Sequence, residues 1–443
     1  MGSFLIGKPL VRFKVKEISI PGDKSIAHRA IFLSSIGNGR VVIKNFPFNE
    51  DCLSTIKTFK QLGVKISVNK TANRVNVYGV GINGLRKPSG SIFIKESGAT
   101  FRMLLGLLSG QKFTSRLHAG RELSKRPMQR VTFPLKKMGA VIRPLSFNNP
   151  GRVSACAEHP PFIIQGAELK GISYRMPVGS AQVKSALLLA GLYAQGQTTI
   201  TDTFKSRDHT ERMLKLFKAR IKVKGDNIII RKTQMLKGPK SLDIPGDMSS
   251  ASFFIVLAAI TPNSKVIIKN VSLNKTRSGL LSVLKRMGVN IKIIPYKVGW
   301  EPAGDIEVKS SRLKGVRIYK NEMPSLIDEL PILMIAACYA NSKTVFEGVN
   351  ELRVKETDRI KSMASNLKKM GADIRVFSKT GIEYIVINGK EQLLGSSLRS
   401  FGDHRTAMSL IIGALRAKGA SRIDDVRCIN KSFPLFTSII KSL

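Results

Sequence analysis

Apolar positions along this chain recur at helical spacing, stop at a small residue, and give way to alternation. The pattern reads CLSTIKTFKQLGVKISV from Cys52, MQRVTFPLKKMGAVI from Met128, SGLLSVLKRMGVNIKI from Ser278 and IKSMASNLKKMGADIRV from Ile360. A degenerate copy, HTERMLKLFKARIKV, starts at His209. Each predicts an amphipathic helix followed by a strand. Lys or Arg fills the last helical turn in most copies, and the glycine after it is the expected helix stop. The stops are Gly63, Gly139, Gly288 and Gly371, with Ala219 at the expected place in the degenerate copy. The C-terminal FPLFTSIIKSL predicts a sixth, shortened helix. Its closing strand is expected from Leu10 to Ile20, which would tie the two ends of the chain together.

A second repeat marks two halves. IPGDKSIAHRAIFLSSI from Ile20 parallels IPGDMSSASFFIVLAAI from Ile244. Each predicts a strand end, a turn, and a helix capped by Asp or Ser. With units of roughly 75 residues, each half is expected to be a three-unit α/β globule. The boundaries are expected at 20–240 for one half, and at 1–19 with 241–443 for the other. Segments such as SALLLAGLYA and PILMIAACYA are apolar all round and belong at the centres.

Composition adds a bias. Lys and Arg number 73 against 30 Asp and Glu, a formal charge of +43. This surplus attracts anions, from phosphorylated metabolites to nucleic acid. The cations are scattered, and one Trp and seven Tyr offer little for stacking on bases. Cys52, Cys156, Cys338 and Cys428 lie far apart, with no CxxC or HExxH, so no metal site is expected. Cys338 falls in an apolar run and is expected in the core. The start of the chain has no signal-peptide pattern, so the thiols are expected to be reduced and the protein cytoplasmic. Apolar runs such as Phe253 to Ile260 are too short to span a bilayer.

Several helix starts combine hydroxyls with cations. They are Lys24, Ser25 and Arg29 in PGDKSIAHRA, Ser97 to Arg102, Arg126 in SKRPM, and Ser180 to Lys184 in SAQVK. Singly, each is a capped helix; jointly they suit phosphate and carboxylate groups. The second IPGD copy has Met248 in place of Lys24 and no counterpart of Arg29, so that turn is expected to lack cations. The other half offers Asp328 and Glu329 before an apolar helix. It also has Arg353, Lys355, Glu356, Asp358 and Arg359 in LRVKETDRI, then Asp403, His404 and Arg405, then Lys431. These are acid–base candidates beside an anion site, or else helix-dipole partners and a salt-bridge face. Gly79, Gly81 and Gly84 spell GxGxxG, but Pro88 and Gly90 stand where a helix must begin, so the dinucleotide reading fails.

Taken together, PGDKSIAHRA, SGATFRMLLG, SKRPM, SAQVKSALLLAGL, SRDHTERML, DELPIL, LRVKETDRI, GDHRTAM and NKSFP resemble the enolpyruvyl transferases, specifically the 5-enolpyruvylshikimate-3-phosphate (EPSP) synthase family. They run in the family's order from residue 20 to 434. The resemblance implies an α/β fold of two globular domains, each of three βαβαββ units (an inside-out α/β barrel), with the active site in the interdomain cleft. It implies transfer of the enolpyruvyl group of phosphoenolpyruvate to the 5-hydroxyl of shikimate 3-phosphate, with no metal or organic cofactor. By motif, Lys24, Ser25, Arg29, Ser180, Ala181, Gln182, Ser206, Asp328 and Lys355 would hold shikimate 3-phosphate. Lys24, Gly98, Arg126, Gln182, Arg359, Arg405 and Lys431 would hold phosphoenolpyruvate. Asp328 would take the hydroxyl proton, and Glu356 with Lys24 would handle the proton at C3. A monomer with small-molecule substrates, no membrane and at most non-specific nucleic-acid contact is expected.

The sister branch acting on a UDP-sugar carries a loop Cys and a KNAALP-like motif that are absent here. The competing reading is a scaffold of weakened activity that binds anions or nucleic acid. The +43 charge favours it, and the intact Lys24, Glu356 and Arg405 argue against it. Two departures point to weakened activity: Glu96 stands where the family has Asn beside phosphoenolpyruvate, and Ala99 where it has Thr. An unpaired carboxylate at 96 would repel the substrate.

Overall fold

The computed structural model describes residues 2–13, 15–145, 158–297, 299–390 and 392–443. Cys156 lies outside them. The chain divides into two compact units, Gly22–Ile244 and Met1–Pro21 with Pro245–Leu443.

Six sheets are present among the described residues, five of them four-stranded and built on one plan. In residues 317–388, Arg317–Ile318 leads through helix Leu330–Cys338 to Lys343–Glu347, which lies parallel to it. Helix Arg359–Lys369 then leads to the hairpin Asp373–Lys379 and Ile382–Asn388, whose second strand inserts antiparallel between the hairpin's first strand and Lys343–Glu347. A parallel pair needs a crossover, whereas the hairpin closes locally. The result is the repeated βαβαββ unit.

Two strands show why the seams fall where they do. Ser241–Asp243 pairs parallel with Asn38–Lys44, completing the first sheet of the Gly22–Ile244 unit. Lys16–Ser19 pairs parallel with Lys265–Ser272, completing the first sheet of the other unit. Each strand leading into a PGD turn therefore belongs to the unit that the turn leaves. This moves the seams from 19/20 and 240/241 to 21/22 and 244/245. The expected closing strand is also corrected. Residues 10–20 do not close the last unit; Phe4–Ile6 does, antiparallel to Ser421–Ile423. The parallel edge of Lys265–Ser272 has already taken Lys16–Ser19.

Helices Lys24–Ile36, Gly98–Ser109 and Ala181–Gly191 are almost wholly buried in one unit. Met248–Ile260, Leu330–Cys338 and His404–Arg416 are their counterparts in the other. Asp23, Ser97, Ser180, Asp247 and Asp403 each cap a helix by accepting a first-turn N–H. Gly106 lets Gly98–Ser109 touch Ala181–Gly191: a Cβ there would sit 2.0 Å from the Ala186 carbonyl oxygen. Cys338 is buried as expected, and burial pushes its thiol up to about 12.

The stop glycines at 63, 139, 288 and 371 all have φ between 79° and 92°. In the degenerate copy the left-handed residue is Lys218 at φ 60°, not Ala219. The N–H of Lys218 reaches the carbonyl of Lys215, as that of Gly371 reaches Lys368. A side chain in this region costs about 1 kcal/mol. Lys218→Gly is therefore expected to raise stability by about 0.5–1 kcal/mol in urea unfolding, with activity unchanged.

Candidate functional site

Each unit gathers its own cluster. In Gly22–Ile244, Lys24 opens its helix and its Nζ lies 3.0 Å from Asp51 Oδ2. Asp51 sits in the first turn of helix Glu50–Gln61, behind the capping Asn49. His28 bonds Thr55 Oγ1 at 2.8 Å, Thr55 bonds Thr100 at 2.7 Å, and Thr100 bonds Ser97 at 2.7 Å. Burial, then Lys24 and Arg29, holds His28 well below the usual imidazole range, so the ring is neutral.

Arg29 is a brace as much as an anion group. It donates to Thr210 Oγ1 at 2.6 Å, Ser185 Oγ at 2.7 Å and the Ser25 carbonyl at 2.8 Å. This joins the helix starts at 24, 181 and 209. Beneath Ser180 to Gln182, Lys184 is 2% exposed and pairs with Asp202 at 2.9 Å and Glu211 at 2.7 Å. Its Nζ also donates to the Ser206 carbonyl at 2.8 Å, while Ser206 Oγ donates to Asp202 at 2.6 Å. Lys184 thus ties Ser206 to the Ser180 helix. Burial opposes its charge, but Glu211 and then Asp202 outweigh that and raise its pKa.

Arg102 donates to Gln182 Oε1 at 2.7 Å. Gly98 lies beside two guanidinium groups: a Cβ there would be 2.8 Å from Arg102 Nη1 and 3.4 Å from Arg126 Nη1. The carboxylate at 96 is not unpaired. It accepts the N–H of Leu123 at 2.8 Å and of Glu122 at 3.3 Å. Glu96 therefore orders the turn that ends on Arg126. Ala99 is half-buried, and nothing in its surroundings explains the change from Thr.

In the other unit a carboxylate is ringed by cations. Asp328 Oδ1 lies 3.4 Å from Arg359 Nη1. Asp328 Oδ2 lies 3.6 Å from Arg277 and 3.8 Å from Arg405. Arg405 also donates to the Asp328 carbonyl at 3.1 Å. Arg359, 1% exposed, pairs with Asp403 at 2.9 Å and with Glu356. These carboxylates raise its pKa despite burial. Burial lowers Lys355, Asp328 opposes that shift, and Arg359 adds to it. Lys431 closes a 3-10 turn, Arg427–Lys431, and acts on Cys428. Burial first and Asp403 next push that thiol up to about 12, with Lys431 opposing.

The alternatives left open by the sequence separate here. Glu329 holds the N-cap position of its helix, but its side chain makes no cap bond; its carboxylate is buried and accepts from Ser249 Oγ. Arg353 and Asp358 form the bland face: Arg353 pairs with Asp358 at 2.7 Å and Glu383 at 2.5 Å on the surface, and Asp358 caps helix Arg359–Lys369. The turn at Gly246 to Ser249 does not lack a cation. Arg277 donates to Ser249 Oγ at 2.8 Å and to Asp247 Oδ1 at 3.1 Å. Sequence reasoning missed Arg277, Asp51 and the bridging role of Lys184. No group of three or more His, Cys, Asp or Glu that could hold a metal occurs among the described residues, nor any helix long and apolar enough to cross a membrane.

The chain matches the family EPSP synthase (3-phosphoshikimate 1-carboxyvinyltransferase) over residues 14–440. It is 43% identical to a 3-phosphoshikimate 1-carboxyvinyltransferase of Desulforamulus reducens and 45% identical to one of Bacillus pumilus, over 96% of each chain in both cases. Its fold is similar to that of EPSP synthase from Acinetobacter baumannii, with a TM-score of 0.86 and 38% identity over 100% of this chain and 98% of that one.

Proposed function

Since the chain belongs to the EPSP synthase family, we propose that it transfers the enolpyruvyl group of phosphoenolpyruvate to the 5-hydroxyl of shikimate 3-phosphate, releasing phosphate. The observation that carries this is Asp328, an ionisable carboxylate held among Arg277, Arg359 and Arg405. Guanidinium groups suit a multiply charged substrate, and a carboxylate among them supplies the base.

Asp328 takes the proton of the 5-hydroxyl as its oxygen bonds to C2 of phosphoenolpyruvate. C3 gains a proton, handled by Glu356 and Lys24. The tetrahedral adduct then loses that proton and expels phosphate, restoring the double bond. In the Gly22–Ile244 unit, Lys24, Ser25, Arg29, Ser180, Ala181, Gln182 and Ser206 bind shikimate 3-phosphate, and Lys24, Gly98, Arg126 and Gln182 bind phosphoenolpyruvate. In the other unit, Asp328 and Lys355 serve the former substrate, and Arg359, Arg405 and Lys431 the latter. The same reading makes the enzyme a cytoplasmic monomer. Cys52, Cys338 and Cys428 are free and buried, which suits a reducing compartment.

A coupled phosphate-release assay with both substrates tests the reading; folded protein that releases no phosphate refutes it. The turn held by Glu96 makes a finer prediction. Glu96→Ala leaves two N–H groups without this acceptor and loosens Arg126, so KM for phosphoenolpyruvate is expected to rise about tenfold, roughly 1.4 kcal/mol. Glu96→Gln, which keeps one acceptor oxygen, is expected to fall between the two. Steady-state kinetics at saturating shikimate 3-phosphate measure both.

A further inference from the structure

We propose that Arg277 is a positioning residue that fixes the orientation and the ionisation of the Asp328 carboxylate, an inference that rests on Asp328 being the base. The two PGD turns differ in where their cation stands. In the first copy the cation is Lys24, on the helix, and its carboxylate is Asp51 on the next element. In the second copy Lys24 is replaced by Met248, and the cation has moved to the next element. Arg277 follows Asn274 by three residues, as Cys52 follows Asn49. Asn49 caps its helix by accepting the N–H of Cys52, while Asn274 accepts the N–H of Thr276 in the turn ahead of helix Gly279–Arg286. The cation thus stands at different places in the two copies, and in the second it lies beside Asp328 and Glu329.

Arg277 is 1% exposed, yet it lies among four oxygens. One end of the guanidinium holds Ser249 Oγ at 2.8 Å and Asp247 Oδ1 at 3.1 Å. The other end lies 3.6 Å from Asp328 Oδ2 and 3.6 Å from Glu329 Oε1. Ser249 in turn donates to Glu329. Nη2 is thereby held at the helix cap, and Nη1 lies within ion-pair distance of Asp328. Around Asp328 stand Arg359, Arg405 and Lys355 as further cations. Glu329 is its chain neighbour. Glu356 and Asp403 are tied to Arg359, Asp247 to Arg277, and His404 precedes Arg405 on its helix. Arg359 is nearer to Asp328, at 3.4 Å, and shares its charge with Asp403 and Glu356; Arg277 shares its own with Asp247 and Glu329, and through Asp247 and Ser249 it links Asp328 to the cap of helix Met248–Ile260.

A carboxylate beside a cation has its pKa lowered, so removing the cation raises it. Arg277→Met is expected to move the acid limb of the kcat profile upward by about one unit, and to lower kcat about tenfold with KM values changed less than about threefold. Arg277→Lys is expected to restore part of both, because it keeps the charge and loses the fork. Ser249→Ala, which removes the hydroxyl that anchors the fork, is expected to shift the limb in the same direction by less. These two milder variants carry the test if Arg277→Met does not fold. Titration of the Asp328 carboxyl by 13C NMR, assigned with Asp328→Asn, reads the same coupling without turnover. A wild type that titrates as expected but releases no phosphate would defeat the proposed reaction and leave the coupling standing. Variants with lowered stability but an unmoved carboxyl titration and acid limb would show a merely structural Arg277 and overturn the proposal.

Discussion

Replacing Asp328 by asparagine is expected to lower kcat by about 10²- to 10⁴-fold, the usual contribution of a positioned general base. The side chain keeps its shape and its oxygen, so the effect isolates charge and basicity. Two terms act together. The 5-hydroxyl loses the group that accepts its proton. The guanidiniums of Arg277, Arg359 and Arg405 lose the anion that balances them. The second term works against the first in the ground state, because uncompensated cations bind anionic substrates more tightly. KM is therefore expected to stay level or fall while kcat collapses, and phosphate release under saturating substrates separates the two.

Lys184→Met is expected to cost about 3–5 kcal/mol of stability, the ordinary result of stranding buried charge. Here two carboxylates, Asp202 and Glu211, would lose a cation that is 2% exposed. Protein that folds should show a raised KM for shikimate 3-phosphate, because Ser206 loses its bond to Lys184. Adding Asp202→Asn and Glu211→Gln removes the stranded charges and is expected to recover much of the stability. The pH dependence has a definite sign. The folded-state pKa of Lys184 lies above its unfolded value. Its contribution is therefore complete below the unfolded value near 10.5 and is lost as pH rises through the folded one. Stability measured from pH 9 upward should fall more steeply in the wild type than in the variant.

What the sequence made legible was periodic or local. Helix stops at Gly63, Gly139, Gly288 and Gly371 were readable because a left-handed stop selects glycine. Lys218 broke the rule and hid the stop by one position. The clusters around Lys24, Arg359 and Arg405 were legible because each occupies one helix start. Arg277 was not, because its partners at 247, 249, 328 and 329 lie on other elements and only the packing of repeats unites them. The apparent loss of a cation at Met248 was the available signal, and it pointed to absence where the structure places a cation from another element. Phe4–Ile6 is three residues long, too short for alternation to announce a strand. The hydrogen bonds from the backbone of residues 122 and 123 to Glu96 lie beyond any pattern of side chains.

The exchange of strands at the two PGD turns also sets an order of assembly. Lys16–Ser19 is made early, but its partner Lys265–Ser272 emerges some two hundred and fifty residues later. Phe4–Ile6 waits longer still, for Ser421–Ile423. The Gly22–Ile244 unit, by contrast, holds all its described strands once Asp243 is made. It can close while the rest of the chain is still being synthesised, with the first twenty-one residues left hanging from it as an unpaired leader. A ribosome-stalled chain ending near residue 280 should therefore resist protease over 22–244 and be cut ahead of it. Phe4–Ile6 and Lys16–Ser19 would find their partners only after the unit that follows them has closed.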